Sequence, residues 1–323
     1  PARMRQSRPT LKKIPTYRET SVTLLGRARS GHWMRFLRIG RRVQLARLEQ
    51  PTRSIDQWVE LLRSGRADER LHATKALRNL SITSQAQMAV AAAGALSHLV
   101  MILVDGTDEE RFAAAEVIAN LSAHPDVQSA IVAAGGLTPL ERLLNHVSPE
   151  GQLPAAKALR NLATDPEHEQ LIRRTGAVVG LLRLLDAAPP PVQAQAAGAL
   201  GNLSAVEAAR PLVALLTTGA LQVWEEVVAA LRNLSSDAVH APAVVAAGAI
   251  APLVALMRRG SDEAREEAAI TLANLAAHSS ESKCAIVAAG VVAPLVVLLE
   301  DGSAALRQAA IEVALELATA PEG

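Results

Sequence analysis

Residues 76–81 read Ala-Leu-Arg-Asn-Leu-Ser, and that phrase returns down the chain at nearly constant spacing. It recurs at 117–122, 158–163, 199–204, 230–235 and 271–276, always with asparagine in the fourth place. Those asparagines are Asn79, Asn120, Asn161, Asn202, Asn233 and Asn274, separated by 41, 41, 41, 31 and 41 residues. A seventh copy, at 313–318, puts Glu316 in the same slot 42 residues later. A period near 40 is the mark of stacked helical units, each too small to bury its own apolar face, so that the stack is the core.

Composition agrees. Half of the 323 residues are apolar but only six are aromatic, so the core must come from Ala, Leu, Val and Ile. Small side chains let helices approach closely, and Ala and Leu favour the helix intrinsically. A globular chain of this length would split into separate cores, whereas a solenoid grows in one dimension. One cysteine, Cys284, excludes an intramolecular disulfide framework. It favours an intracellular setting, the cytoplasm first, with the nucleus or an organelle as alternatives. No apolar run reaches the roughly 18 residues that suggest a membrane span.

The sixth unit shows the pattern best. A short apolar stretch, 241–247, is closed by Gly248; a second segment runs from Ala249 to Arg259 and ends at Gly260; a third begins after Ser261, a suitable N-cap, with acidic residues in its first turn. Glycine stands 14 residues before the slot in five units, at Gly65, Gly106, Gly219, Gly260 and Gly302. Each is expected to end the second helix in the left-handed conformation. In the fourth unit Pro189, Pro190 and Pro191 take over that junction. In every third helix the residue two before the slot is apolar, from Leu77 to Ala314, and the one six before is small or β-branched, from Ala73 to Ala310. These make one buried stripe with the slot residue at its edge. Between Asn202 and Asn233 ten residues are missing relative to the other units, and they fall where the first helix and its glycine would be. The fifth unit, about 205–235, is therefore expected to hold two helices, with a tight connection near Val206–Arg210 into the helix of Pro211.

The phrase itself, Ile-Val-Ala-Ala-Gly at 131–135 and 286–290, and Pro-Leu-Val-Ala-Leu-Leu at 211–216 together resemble the armadillo repeat family. The match covers roughly residues 54–318, with 41–53 as a degenerate first helix. The resemblance implies an all-α, right-handed superhelix of about seven repeats with three helices each, in which third helices line a concave groove. It implies also that the slot asparagines clamp an extended peptide there. The domain reading is a basic arm, 1–40, followed by a solenoid, 41–323.

An asparagine amide offers a carbonyl acceptor and an NH2 donor, matching the N–H and C=O of one peptide unit. The alternative is that the same amide bonds to backbone across the junction between units, with no ligand. Specificity would come from neighbours: one turn before the slots stand Lys75, Glu116, Lys157, Gly198, Ala229 and Ile270, and immediately before them Arg78, Ala119, Arg160, Gly201, Arg232 and Ala273. Importin-α-like adaptors place Trp one turn before the asparagine; here there is none, and three arginines lie close. The groove is expected to suit an acidic or mixed ligand through charge-assisted bonds. The pattern looks more like the armadillo arrays of plant U-box proteins and of vacuolar adaptor proteins.

Residues 1–53 carry 14 basic against 2 acidic side chains, a net of +12; residues 54–323 carry 19 against 30, a net of −11. Such polarity points to an anionic partner for the arm: nucleic acid, an acidic protein surface, a membrane face or the chain's own solenoid. Arg27, Arg29, Arg35, Arg38, Arg41 and Arg42, interleaved with Trp33 and Phe36, are the candidate contacts. The plainer reading is that the end of this segment caps the first repeat.

The histidines show no metal-ligand spacing, and Glu109–Glu110 and Glu266–Glu267 read as solvated helix starts. No nucleophile motif or phosphate loop is present, so an enzyme, a cofactor or a metal is not expected. The first functional reading is a non-catalytic scaffold or adaptor that holds partner segments in its groove and is anchored in a larger complex by its arm. The alternatives are a ribonucleoprotein-associated protein whose arm meets phosphate, and a substrate-recognition fragment of a ubiquitin ligase.

Overall fold

A computed structural model describes residues 53–319. The arm, its candidate contacts Arg27, Trp33, Arg29, Arg35, Phe36, Arg38, Arg41 and Arg42, and the degenerate first helix all lie outside the described residues. Among those described there are nineteen α-helices, one 3-10 turn and no strand. The first described unit contributes α1 (Ile55–Ser64) and α2 (Ala67–Leu80). Three full units follow: α3 (Ser84–Ala92), α4 (Ala95–Asp105) and α5 (Asp108–Leu121); α6 (Pro125–Ala133), α7 (Leu137–Leu144) and α8 (Pro149–Leu162); α9 (Pro166–Arg174), α10 (Ala177–Ala187) and α11 (Pro190–Asn202). The fifth has a 3-10 turn (Val206–Ala208), α12 (Ala209–Thr218) and α13 (Leu221–Ser235). The last two contain α14 (Ala241–Ala246), α15 (Ile250–Arg259) and α16 (Asp262–His278), then α17 (Ser280–Ala288), α18 (Val292–Asp301) and α19 (Ala304–Ala318).

Third helices pack each on the next, α2 through α19, and second helices do the same, α1 through α18, giving two continuous layers. The core is the seam between them. The stripe read from sequence is there: Leu77, Ile118, Leu159, Leu200, Leu231 and Leu272 are buried, as are all seven residues from Ala73 to Ala310. Ala314, in the last unit, is half-buried. Helix starts use the expected chemistry. The Ser261 hydroxyl accepts from the Ala264 amide, and Thr107 and Glu110 close a reciprocal capping box.

The glycines divide into two sets, and the expected conformation belongs to the other one. Gly65, Gly106, Gly219, Gly260 and Gly302 are extended, with φ of −72°, −72°, −77°, −73° and −72°. They are glycine because the helix carbonyl four residues back sits where a Cβ would be, 2.4 Å away at Gly65 and 2.3 Å at Gly302. The left-handed glycines are Gly94, Gly135, Gly176, Gly248 and Gly290, between first and second helices.

The fifth unit lacks that glycine, and Ser204 takes the left-handed conformation instead, at φ 48. The Ala205 amide reaches back to the Leu200 carbonyl, the same five-residue closure that Gly136 makes to Ile131 at the end of α6. The turn that elsewhere ends a first helix has moved to the end of α11. Arg173 of α9 covers the vacated side, donating to the Leu203 carbonyl at 2.5 Å. The interface of α11 with α13 is correspondingly close, because a Cβ on Gly201 would lie 2.6 Å from the Ala230 Cα.

Candidate asparagine ladder and its charged rim

Each slot asparagine after the first reaches the preceding unit. The Asn120 amide donates to the Arg78 carbonyl (3.4 Å) and to the Ser81 hydroxyl (3.3 Å); Asn161 does the same to Ala119 (3.3 Å) and Ser122 (3.1 Å), and Asn274 to Arg232 (3.5 Å) and Ser235 (3.2 Å). The carbonyls belong to the last turn of the preceding third helix, where few intrahelical donors remain. The serine stands two residues after the previous slot. Where that place is Ala163, Asn202 donates only to the Arg160 carbonyl, at 3.0 Å. Where it is the left-handed Ser204, Asn233 turns to the side-chain amide oxygen of Asn202, Oδ1, at 3.2 Å. Glu316, which has no N–H to donate, lies 4.0 Å from Lys283 instead.

The NH2 groups therefore serve the junctions, as the alternative sequence reading had it, while the carbonyl oxygens are less engaged. Asn120 Oδ1 is 3.5 Å from Lys157 Nζ, and Asn79, exposed, receives Arg78 at 3.4 Å. Among the described residues, Asn161 and Asn274 accept no bond at Oδ1. The ladder thus presents acceptors, suited to the N–H groups of an extended chain.

The rim is charged but neutralised in pairs. Arg78 meets Glu116 at 2.7 Å, Arg160 meets Glu226 at 2.6 Å, Arg232 meets Glu267 at 3.0 Å, and Lys75 meets Glu109 at 2.6 Å. Glu226, Glu267 and Glu109 are the rim residues that sequence reading missed. Sequence reading had put Glu109 and Glu267 at solvated helix starts and had not singled out Glu226, and it set none of the three opposite a cation of an earlier unit. Glu109 and Glu267 are accordingly not the freely solvated charges expected. Nor is Glu110, which is buried: it accepts from the Thr107 amide and hydroxyl at 2.9 Å and from Arg70 at 2.9 Å. Burial works against its charge, but the Thr107 bonds and Arg70 outweigh it and hold the carboxyl below its ordinary range. At Glu267 burial prevails over Arg232, with Glu266 adding repulsion, and the carboxyl is pushed up.

Arg78, Glu116, Asn120 and Lys157 converge with Ala119, Leu153 and Pro154 on one open cavity of about 190 Å³. Pro154, inside α8, leaves a helix carbonyl without its usual donor at this wall. Further along, Gly198 and Gly201 remove side chains from the floor. Gly198 is overlain by Arg160, whose Nε lies 2.6 Å from where a Cβ would be. Ala229, Ile270 and Ala273 continue the line without charge. Among the described residues there is no cluster of His, Cys, Asp and Glu able to hold a metal, and no single helix long and apolar enough to cross a membrane.

The model of the Armadillo/beta-catenin-like repeat matches residues 124–164 and 165–205. No curated protein matches by sequence. Among solved structures, an engineered protein is 33% identical at a TM-score of 0.78, the alignment covering 83% of this chain and 69% of that one. Computationally designed armadillo repeat proteins for modular peptide recognition are 26% identical, at a TM-score of 0.54 over 81% of this chain and 99% of theirs. A designed armadillo repeat protein in complex with the peptide (KR)4 is likewise 26% identical, at 0.52 over 82% and 100%. With the stacked third helices and the slot residues bridging successive units, these similarities make the assignment: the chain belongs to the armadillo-repeat family.

Proposed function

We propose that this protein is a non-catalytic scaffold that holds an extended segment of a protein partner along its third-helix face. The observation that carries the reading is the cavity at Asn120, where an amide oxygen, two cations and a carboxylate meet over an apolar wall of Leu153 and Pro154. Asparagine carbonyls would accept from the backbone of the ligand, and Arg78, Lys157 and Glu116 would exchange partners with its side chains. Because the arginines are already paired, a segment of mixed charge fits better than a purely acidic one: each ligand charge can replace an internal counter-ion without leaving another stranded. Designed relatives that bind peptides support this use of the face, one of them with the basic peptide (KR)4.

The adaptor role, with the arm as anchor in a larger assembly, rests on the net +12 of residues 1–53 against −11 for the rest. Labelled eight-residue peptides, acidic, basic and alternating, titrated by fluorescence anisotropy, test the groove. Alternating peptides should bind most tightly, and Asn120→Ala with Asn161→Ala should weaken them; binding indifferent to both substitutions would refute the site. Affinity capture with and without nuclease, repeated with Arg27, Arg29, Arg35 and Arg38 changed to Ser, tests the anchor.

A further inference from the structure

In four units the third-helix residue nine before the slot has a fixed task. Arg70, Gln152, Gln193 and Arg265 turn back to the carbonyls where their own second helix ends, donating to Gly65, His146, Leu185 and Met257. Carbonyls there lack intrahelical donors, and the bond seals the helix end. In the fifth unit the place belongs to Trp224, whose indole Nε1 is buried and bonds to nothing. The exchange deprives α12 of the bond this position supplies elsewhere and leaves a donor unsatisfied, which costs stability. A second departure faces it. The residue before the closing glycine is Ser64, Asp105, Thr218 and Asp301 in four units, but Arg259 in the sixth. Arg259 is exposed and makes no hydrogen bond or ion pair among the described residues. Trp224 and Arg259 meet at one open cavity of about 280 Å³ between α12, α13 and α15, walled also by Leu216, Pro252, Ala255 and Leu256. Leu221, one turn before Trp224, is 69% exposed, at the place where α5 and α16 begin on Asp108 and Asp262. A repeat that breaks its own rules at a cost does so where a site is made.

We infer that this cavity is a second binding site, which takes an apolar side chain, aromatic by preference, next to a carboxylate on an exposed segment of a protein partner. The cavity falls just short of the roughly 300–1,000 Å³ of sites that enclose a drug-sized molecule, and it suits one inserted side chain. Leu216, Pro252, Ala255 and Leu256 give that side chain apolar walls, and the half-buried Trp224 ring gives it an aromatic one. Leu221 extends the apolar contact past the rim. Arg259 selects the sign of the neighbouring charge. Unlike Arg78, Arg160 and Arg232 on the ladder, it gains a carboxylate without giving up an internal partner. Trp224 lies nine residues from Asn233, about two and a half turns, and so on the opposite side of α13 from the ladder. The two sites can therefore be filled together, one by an extended segment and the other by a single anchoring side chain.

Titrating the full chain, with its tryptophan indoles isotope-labelled, with the blocked peptide acetyl-Gly-Phe-Asp-Gly-amide tests this. The Trp224 indole resonance, identified by its loss in Trp224→Phe, should shift saturably with a Kd of about 0.1–1 mM. Exchanging the peptide's Asp for Lys, or its Phe for Gly, should weaken binding at least about fivefold. Arg259→Glu should reverse the preference between the Asp and Lys peptides with an unchanged thermal midpoint, since the side chain is exposed and unpaired. Asn120→Ala with Asn161→Ala should leave the titration as it was. A Trp224 resonance that stays still, or an Asp preference that survives Arg259→Glu, would overturn the proposal. So would loss of the shift in the asparagine variant, a shift produced by raising the protein concentration alone, or phenylacetate binding as tightly as the peptide.

Discussion

Arg160 crosses Gly198 to reach Glu226, two units further on, and the bond is 2.6 Å long. The span exists because the intervening helix has no side chain in the way, and because the shortened fifth unit brings α13 close to α11. The two glycines of α11 should therefore respond differently to alanine. At Gly198 the obstacle is the flexible end of Arg160, so Gly198→Ala should gain about 1 kcal/mol of helix propensity and lose an ion pair of up to about 1 kcal/mol, leaving stability nearly level. Its signature is a double-mutant cycle: the effect of Glu226→Gln should vanish in the Gly198→Ala background. At Gly201 the obstacle is the backbone of Ala230, and Gly201→Ala should cost about 1–3 kcal/mol in urea unfolding.

The ladder should separate into structural and free members. Asn161→Ala removes two bonds across a junction and should cost about 1 kcal/mol or somewhat more, whereas Asn79→Ala, at an exposed amide without a preceding unit among the described residues, should cost little. Equal losses at the two positions, measured by chemical denaturation, would contradict the junction bonds.

Glu110 sets an acid limb. Its carboxyl titrates below the ordinary range in the folded chain, so its contribution is complete above the unfolded value near 4.3 and is lost as pH falls through the lower folded value. Glu110→Gln should destabilise by about 1–3 kcal/mol at neutral pH, and its stability should decline less steeply on acidification. Melting curves between neutral pH and the acid transition give both quantities. A variant with the parent's acid slope would show that the burden lies on other carboxylates.

Ser204 holds a left-handed conformation that costs a residue with a Cβ about 1–2 kcal/mol, part of which glycine returns through the unfolded chain. Ser204→Gly should raise stability by about 0.5–1 kcal/mol. A loss would mean that the serine side chain holds the shortened unit together.

How much of this was legible in the sequence depends on the range of the interaction. The period, the buried stripe from Ala73 to Ala310 and the ten-residue gap are local patterns, and they carried the helices, the layers and the shortened fifth unit. The conformation of Gly65 and its equivalents was misread, because a close carbonyl and a left-handed turn both select glycine and leave the same mark. Serine at 81, 122 and 235 was visible as the last letter of a phrase, yet its use as acceptor for an asparagine 39 residues later depends on the stacking distance. The pairing of Arg160 with Glu226, 66 residues apart, depends further on the missing helix and could not be read from either residue alone.

The claim that the asparagine face receives a partner segment is tested most directly by the side-chain amide resonances of Asn120, Asn161 and Asn202 in selectively labelled protein titrated with an alternating-charge peptide. The account predicts saturable shifts at all three, with those of Asn79 and Asn274 following as the peptide is lengthened. Binding that saturates while the three amides stay still would place the ligand elsewhere and contradict the account.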